Sequence, residues 1–264
     1  MRSLAALLGL LLLAGCSPPA APPPLRLSAS TTQMRIAEGS RLLRTGVVNH
    51  SRHPVSVANA SLAWPGFTRH VVRVGQRIGP GQIAAFDMAY GDPRCTSSPR
   101  GAPQLTVVVD GVRRVVPLHV DIPGLLHQLW LHECAAQRLT RAASISFVRG
   151  HGVRSGYVAV LQLRRRGSAV PVSVTGFSGS VILDMLTGRA LPARLPTDPG
   201  AVLRLPVLVR PGSRCDPHSL GQSQQTFLLS AVVRVGSHPP QRAILPLGPG
   251  LHAALQGTID RLCT

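Results

Sequence analysis

Five residues in the last quarter of the chain, Arg214-Cys215-Asp216-Pro217-His218, put a thiol, a carboxylate and an imidazole within one turn of backbone. Cys215 and His218 stand at a spacing used in zinc sites, and Asp216 adds an oxygen donor. Such sites need four ligands, usually as two such pairs, and the sequence offers no second pair. The competing role for Cys215 is one half of a cross-link, with Asp216-Pro217 as a turn whose carboxylate bonds its own backbone. Asp216 and His218 remain the candidate metal ligands. His127, His132 and Glu133 form a second grouping, but side chains five apart do not share a helix face.

Catalytic patterns are sought next. Gly176-Phe177-Ser178-Gly179-Ser180 lacks the closing glycine of a nucleophile elbow and the helix that must follow it. The ten acidic residues are scattered and give no close carboxylate pair for glycoside hydrolysis. No glycine-rich phosphate loop is present. The sequence therefore reads as a non-enzyme with no cofactor.

Charge is the strong physical signal. The 264 residues carry 28 basic and 10 acidic side chains, a formal +18, and every basic residue is Arg. Arg113-Arg114 and Arg164-Arg165-Arg166 are local concentrations. Such a surface attracts anionic lipid heads, phosphate-bearing wall polymers or acidic proteins. Scarce aromatics, 3% of the chain, argue against stacking on nucleic acid. The alternative is that Arg stands in for Lys through codon bias and solvates the surface.

The opening residues read as targeting. Arg2 precedes the apolar run "LAALLGLLLLAG", too short for a membrane span of roughly 20 residues. The run ends at Leu13-Ala14-Gly15-Cys16, which resembles a bacterial lipobox. That resemblance implies a signal peptide over 1–15, removed on export, and a diacylglycerol on Cys16, the lipidation site. Ser17 to Leu25 is Pro-rich and reads as a stiff tether, so 16–25 links anchor to fold.

With Cys16 lipidated, Cys95, Cys134, Cys215 and Cys263 remain. In an oxidising compartment they form two disulfides, for which three connectivities exist. An internal repeat selects one. "HPVSVANASL" matches "VPVSVTGFSG", "GDPRC" ending at Cys95 matches "PGSRC" ending at Cys215, and "IPGLLHQLWLHEC" matches "GPGLHAALQGTIDRLC". The order is kept and the offset drifts only as loop insertions would make it. Two tandem copies follow, 26–138 and 139–264, with bridges Cys95–Cys134 and Cys215–Cys263. Each closes a loop of about 40 to 50 residues, worth on the order of 3–4 kcal/mol.

The elements that must position these residues are strands. "QLTVVVDGVRRVVPLHV" predicts a hairpin turning at Asp110-Gly111. Tyr157, Ala159, Leu161 and Leu163 share one strand face, as do Leu203, Leu205, Val207 and Val209. Phe227, Leu229, Ala231, Val233 and Val235 make a third apolar row. Pro206 suits an edge strand. Leu125, Leu126 and Leu129 in one copy, and Leu251, Leu255, Ile259 and Leu262 in the other, predict a short terminal helix or turn pinned by the second cysteine.

"VVNHSRHPVSV" resembles the strand–turn–strand passage of bacterial immunoglobulin-like domains. "RCDPHSL", then "TFLLSAVVRV" and a closing Cys, resembles a group of small secreted or lipid-anchored actinobacterial proteins, over roughly the last 60 residues. Ser219 replaces that group's usual Ala, and "GQSQQ" replaces its charged run. The expectation is an all-β chain of two tandem immunoglobulin-like antiparallel sandwiches. It sits on the extracytoplasmic face of the cell membrane, lipid-anchored, in a binding, adhesion or scaffolding role with no nucleic-acid partner. A metal or small-ligand carrier, and an accessory lipoprotein of an envelope enzyme or transporter, are the competing roles.

Overall fold

A computed structural model describes residues 24–263. The expected leader, Cys16 and all but the end of the tether lie outside the described residues. The chain is mostly β, in several sheets, with two disulfides.

The first unit holds Leu27–Thr32 (β1), Leu42–Asn49 (β2), Val55–Ala63 (β3), Val72–Ile78 (β4), Ile83–Ala89 (β5), Gln104–Val109 (β6) and Val112–Val120 (β7). Their order is β4-β3-β6-β7-β1-β2-β5. All neighbours are antiparallel except β1 and β7, which pair in parallel and join the β4-β3-β6-β7 ribbon to β1-β2-β5. Strand alternation explains the core. Leu105, Val107 and Val109 point inward from β6, and Leu43 and Val47 from β2. The partial alternation of "SVANASLA" has a local cause, a bulge between Val57 and Asn59 in β3. Asp110 and Gly111 turn the β6–β7 hairpin with φ of 47° and 78°, as a two-residue turn with positive φ at both positions requires. Asn49 is fully buried at the end of β2. Its amide donates to the carbonyls of His53 and Ile78, and its Oδ1 accepts from Ser51 N–H, which fixes the polar turn into β3.

Leu125–Ala142 (α1) follows β7 and runs directly into the second unit. Leu125, Leu126, Leu129, Trp130 and Cys134 belong to the first core, while Leu139 and Ala142 belong to the second. The boundary drawn between 138 and 139 thus falls inside a helix shared by both cores, and at 18 residues that helix is longer than the short terminal helix or turn expected.

The second unit contains Ala143–Val153 (β8), Gly156–Arg165 (β9), Val172–Ser178 (β10), Leu183–Leu186 (β11), Ala193–Leu195 (β12), Val202–Pro211 (β13), Ser230–Val235 (β14) and Gln241–Ile244 (β15). Pro217–Gln222 (α2) and Pro249–Leu262 (α3) complete it. Two four-stranded sheets, β11-β13-β9-β8 and β12-β10-β14-β15, contribute to one core. Leu203, Leu205, Val207 and Val209 are buried as the alternation requires. Pro206 is not in an edge strand: β13 lies between β9 and β11. However, β11 pairs only with Leu208 to Pro211, so the proline's side of β13 is open where its missing N–H would count. β14 starts at Ser230, so Phe227 precedes the strand and stacks on His252 of α3 instead.

The pairings recur between the units. β1·β2, β2·β5, β3·β6 and β6·β7 have counterparts in β8·β9, β9·β13, β10·β14 and β14·β15. In each unit the last strand leads to a helix bridged to the loop after β5 or β13. The bridges are Cys95–Cys134 and Cys215–Cys263, with Cα–Cα distances of 5.6 and 5.0 Å.

Candidate functional site

The Arg214–His218 segment leaves β13 and is pinned at once, because Cys215 bonds Cys263 at the C-terminal cap of α3. Asp216 caps α2: its Oδ1 accepts the Ser219 N–H at 2.9 Å, with Pro217 in the first helical turn. That hydrogen bond, then His218, holds the carboxyl below the ordinary Asp value. The acid is committed to a turn, and His218 stands beyond it on the exposed side of α2. Among the described residues no group of three His, Cys, Asp or Glu side chains converges as a metal site needs.

What the segment does line is a cleft of about 430 Å³. Arg214, His218, Ser219 and Gln222 form one wall, Ser223 to Gln225 continue it, and Arg35 enters from the first unit. Arg35 lies in a single 3-10 turn, Arg35–Ala37, between β1 and β2. This turn is docked on the second unit. Arg242 donates to Glu38 at 2.7 Å, and the Gln225 amide donates to Glu38 at 3.2 Å and to the Arg35 carbonyl. Arg242 also reaches Ser230 Oγ at 2.7 Å, so the clamp is anchored in β14.

The second sequence grouping does not assemble as a site. His127 packs on Trp130, with ring centroids 5.4 Å apart. Glu133 accepts the Tyr90 hydroxyl at 2.9 Å and lies 3.3 Å from Arg41 Nε, a contact without hydrogen-bond alignment. Arg41 also pairs with Asp92 at 3.2 Å, and its guanidinium lies 5.6 Å from the Tyr90 ring centre. Burial, and then Glu133, push the Tyr90 phenol far above its ordinary value. Burial alone would lower Arg41, but Glu133, Asp92 and Tyr90 outweigh it and hold the guanidinium above its usual value. With Trp130 Nε1 donating to the Arg94 carbonyl and the Cys95–Cys134 bridge, these contacts fasten α1 to the first unit. Of the Gly176–Ser180 stretch, Gly176 to Ser178 end β10 and pair with β14, and Ser180 opens the turn that follows, its Oγ accepting the N–H groups of Ile182 and Leu183.

Every arginine except Arg2 is described, and four of them (Arg41, Arg44, Arg210 and Arg242) pair with a carboxylate. Of the Arg164–Arg166 run, Arg165 is an exception to the surface reading. It is 4% exposed, with its guanidinium bonded to four main-chain carbonyls. The outer face of β4-β3-β6-β7 is the most regular basic surface. Arg73 pairs across to Asn59, Asn59 to Val108, and Val108 to Arg113, while Arg77 pairs to Ser56. Directly opposed residues share a sheet face. The exposed arginines therefore flank a floor of Asn59 and Val108 about 14 Å across, three strand spacings wide.

Sequence reasoning found Arg214 and His218 as neighbours but missed Arg35 and Gln225, far away in the chain. Their only sequence trace is that both lie in polar segments between strands.

No family model and no curated protein matches the chain. Among solved structures it is similar to a protein of unknown function from Porphyromonas gingivalis W83, at 15% identity and a TM-score of 0.21. That match covers 84% of this chain and 98% of the other. A likeness of that size carries no argument about fold or function.

Proposed function

We propose that this chain is a lipid-anchored, extracytoplasmic binding module that holds anionic envelope polymers against the membrane without catalysis. The observation that carries this reading is the outer face of β4-β3-β6-β7, where Arg73, Arg77 and Arg113 stand without carboxylate partners among the described residues. A charged ribbon of this kind attracts a polyanion through many weak, salt-sensitive contacts. The recurrent strand pairings, each with a helix stapled behind it, support calling both units immunoglobulin-like sandwiches in tandem. Two stapled units suit life outside the cytoplasm, where disulfides persist. A diacylglycerol on Cys16 would keep the module at the membrane surface, since two acyl chains anchor stably where one does not.

The test is sedimentation of the full chain with poly(glycerol phosphate), at low salt and then at high salt. Binding should be lost as salt rises, and Arg73→Gln/Arg77→Gln/Arg113→Gln should lose most of it at low salt. Salt-insensitive binding, or no binding at low salt, defeats the polymer reading. In cells, Cys16→Ala should move the protein from the membrane to the soluble fraction, and retention in the membrane would overturn the anchor.

A further inference from the structure

We propose that the cleft between Arg35, Arg214 and His218 is a binding site for a phosphate carried on a small hydroxylated scaffold. The inference rests on the envelope-binding reading only for where such a ligand comes from. The pocket itself stands on its own residues.

The lining is chemically one-sided. Arg35 and Arg214 reach it from different units, and neither has a carboxylate partner among the described residues. His218 adds a ring nitrogen on the same wall. Two arginines lining one cleft from two units suit an oxyanion with several acceptor oxygens, because each guanidinium fork can donate to two of them. The rest of the lining suits hydroxyl groups: Gln222 and Gln224 bring amides and Ser219 a hydroxyl, while the Gln225 N–H groups are taken by Glu38 and the Arg35 carbonyl. Val181 is the one apolar contributor. The Ser223 hydroxyl is buried and lacks a hydrogen-bond partner. It has no surface open to the cleft, so the hydroxyl the cleft presents is that of Ser219.

The walls are also held still, which a selective site needs. Cys215–Cys263 fixes the residue beside Arg214, and Asp216 caps the turn that carries His218 and Gln222. On the other side, Arg242 and Gln225 hold Glu38 and the Arg35 backbone. Glu38, three residues along the chain from Arg35, is thereby occupied. Asp216, the acid on the opposite side, is occupied by the Ser219 N–H. The motif that resembled a metal-ligand set is thus resolved by atom: a sulfur that staples, a carboxylate that caps, and an Arg and a His that face a cleft.

Two sources share this chemistry, a free sugar or polyol phosphate and the phosphate of an envelope polymer. Isothermal titration calorimetry on the full chain in detergent separates them, with glycerol 3-phosphate, glycerol and short poly(glycerol phosphate) as probes. Glycerol 3-phosphate should bind saturably and glycerol should not. Arg35→Gln and Arg214→Gln should each weaken binding by about tenfold or more, through loss of a charge-assisted contact. Arg214→Lys should recover only part of the loss, because it keeps the charge without the fork. Both arginines are exposed, so unchanged thermal melts of the variants check that folding is intact. Polymer displaced by glycerol 3-phosphate identifies the polymer's phosphate as the ligand; polymer that leaves the cleft free identifies the small phosphate. Arg73→Gln/Arg77→Gln/Arg113→Gln should keep glycerol 3-phosphate binding, so failure of the sheet-face reading and failure of this one are distinguishable. Absence of saturable glycerol 3-phosphate binding, or affinity unchanged from the parent protein in both single Gln variants, overturns the proposal.

Discussion

Arg165→Met asks how much one buried cation contributes to the second unit. Arg165 closes β9, and its side chain turns inward between β12 and the 166–170 loop. Nε donates to the Pro196 carbonyl at 2.6 Å, and Nη1 to Ser168 and Val170 at 2.5 and 2.9 Å. Nη2 donates to Leu195 at 3.2 Å. Methionine matches the stem in length and supplies no donor, so four carbonyls lose their partner. Each buried carbonyl left unpaired costs about 1–3 kcal/mol, and the desolvation saved by removing the guanidinium offsets several kcal/mol of that sum, which leaves a net loss of about 4 kcal/mol. With a urea slope of about 2 kcal/mol/M, a 4 kcal/mol loss lowers the midpoint by about 2 M. The assay is urea unfolding followed by far-UV circular dichroism. Arg164→Met and Arg166→Met are the controls, since both side chains are exposed and should shift stability by no more than about 0.5 kcal/mol. If Arg165→Met shifts the midpoint no more than these neighbours do, the bonded guanidinium is not a structural staple.

Other perturbations reach the remaining parts of the fold. The bridges close separations of 39 and 48 residues. Chain entropy therefore assigns each about 4 kcal/mol, and replacing either pair by Ser should cost similar amounts in urea unfolding. Digestion without reductant should recover Cys95–Cys134 and Cys215–Cys263 peptides, and a Cys95–Cys215 peptide would refute the pairing. The raised Tyr90 gives a pH test. Above an unfolded tyrosine value of about 10, the unfolded chain loses a proton that the folded chain keeps, so stability falls as pH rises further. Tyr90→Phe should remove that part of the alkaline decline in urea midpoints, and an unchanged slope would detach Tyr90 from it. Gly91→Ala should destabilise the first unit in thermal melts, because φ is 77° there and an added Cβ would meet the Thr68 carbonyl oxygen.

Local signals in the sequence carried the strands whose side chains alternate. Leu203 to Val209 and Leu161 to Leu163 could be read because period-two burial leaves a visible pattern. Asp110-Gly111 could be read because its turn restricts residue type. The cysteine pairs were legible through the repeat, which supplied the long-range information that one copy would lack. Other features left no such trace. β8 begins where α1 ends, so no turn residue announces it. The bulge at Val57 to Asn59 breaks the alternation it sits in. Arg165 differs from Arg164 and Arg166 only by strand parity, since alternate side chains of β9 face the core. Arg35 and Gln225 are 190 residues apart, and only the docking of the two units brings them together.

That docking bears on how a tethered module would work. A flexible linker between units would let each basic surface find a polymer independently. Here the connection is α1, whose two ends are embedded in different cores, and a bend in it would expose Trp130 on one side or Leu139 on the other. The Glu38–Arg242 pair adds a second contact at 2.7 Å, about a third exposed on each side chain, so its own contribution is at most about 1 kcal/mol. The helix therefore sets the mutual position of the units, and the ion pair with Gln225 selects the orientation of the Arg35 turn. The backbone segments that carry Arg35 and Arg214 are consequently placed around one cleft before binding, which confines the ordering that an anion would require to the two side chains.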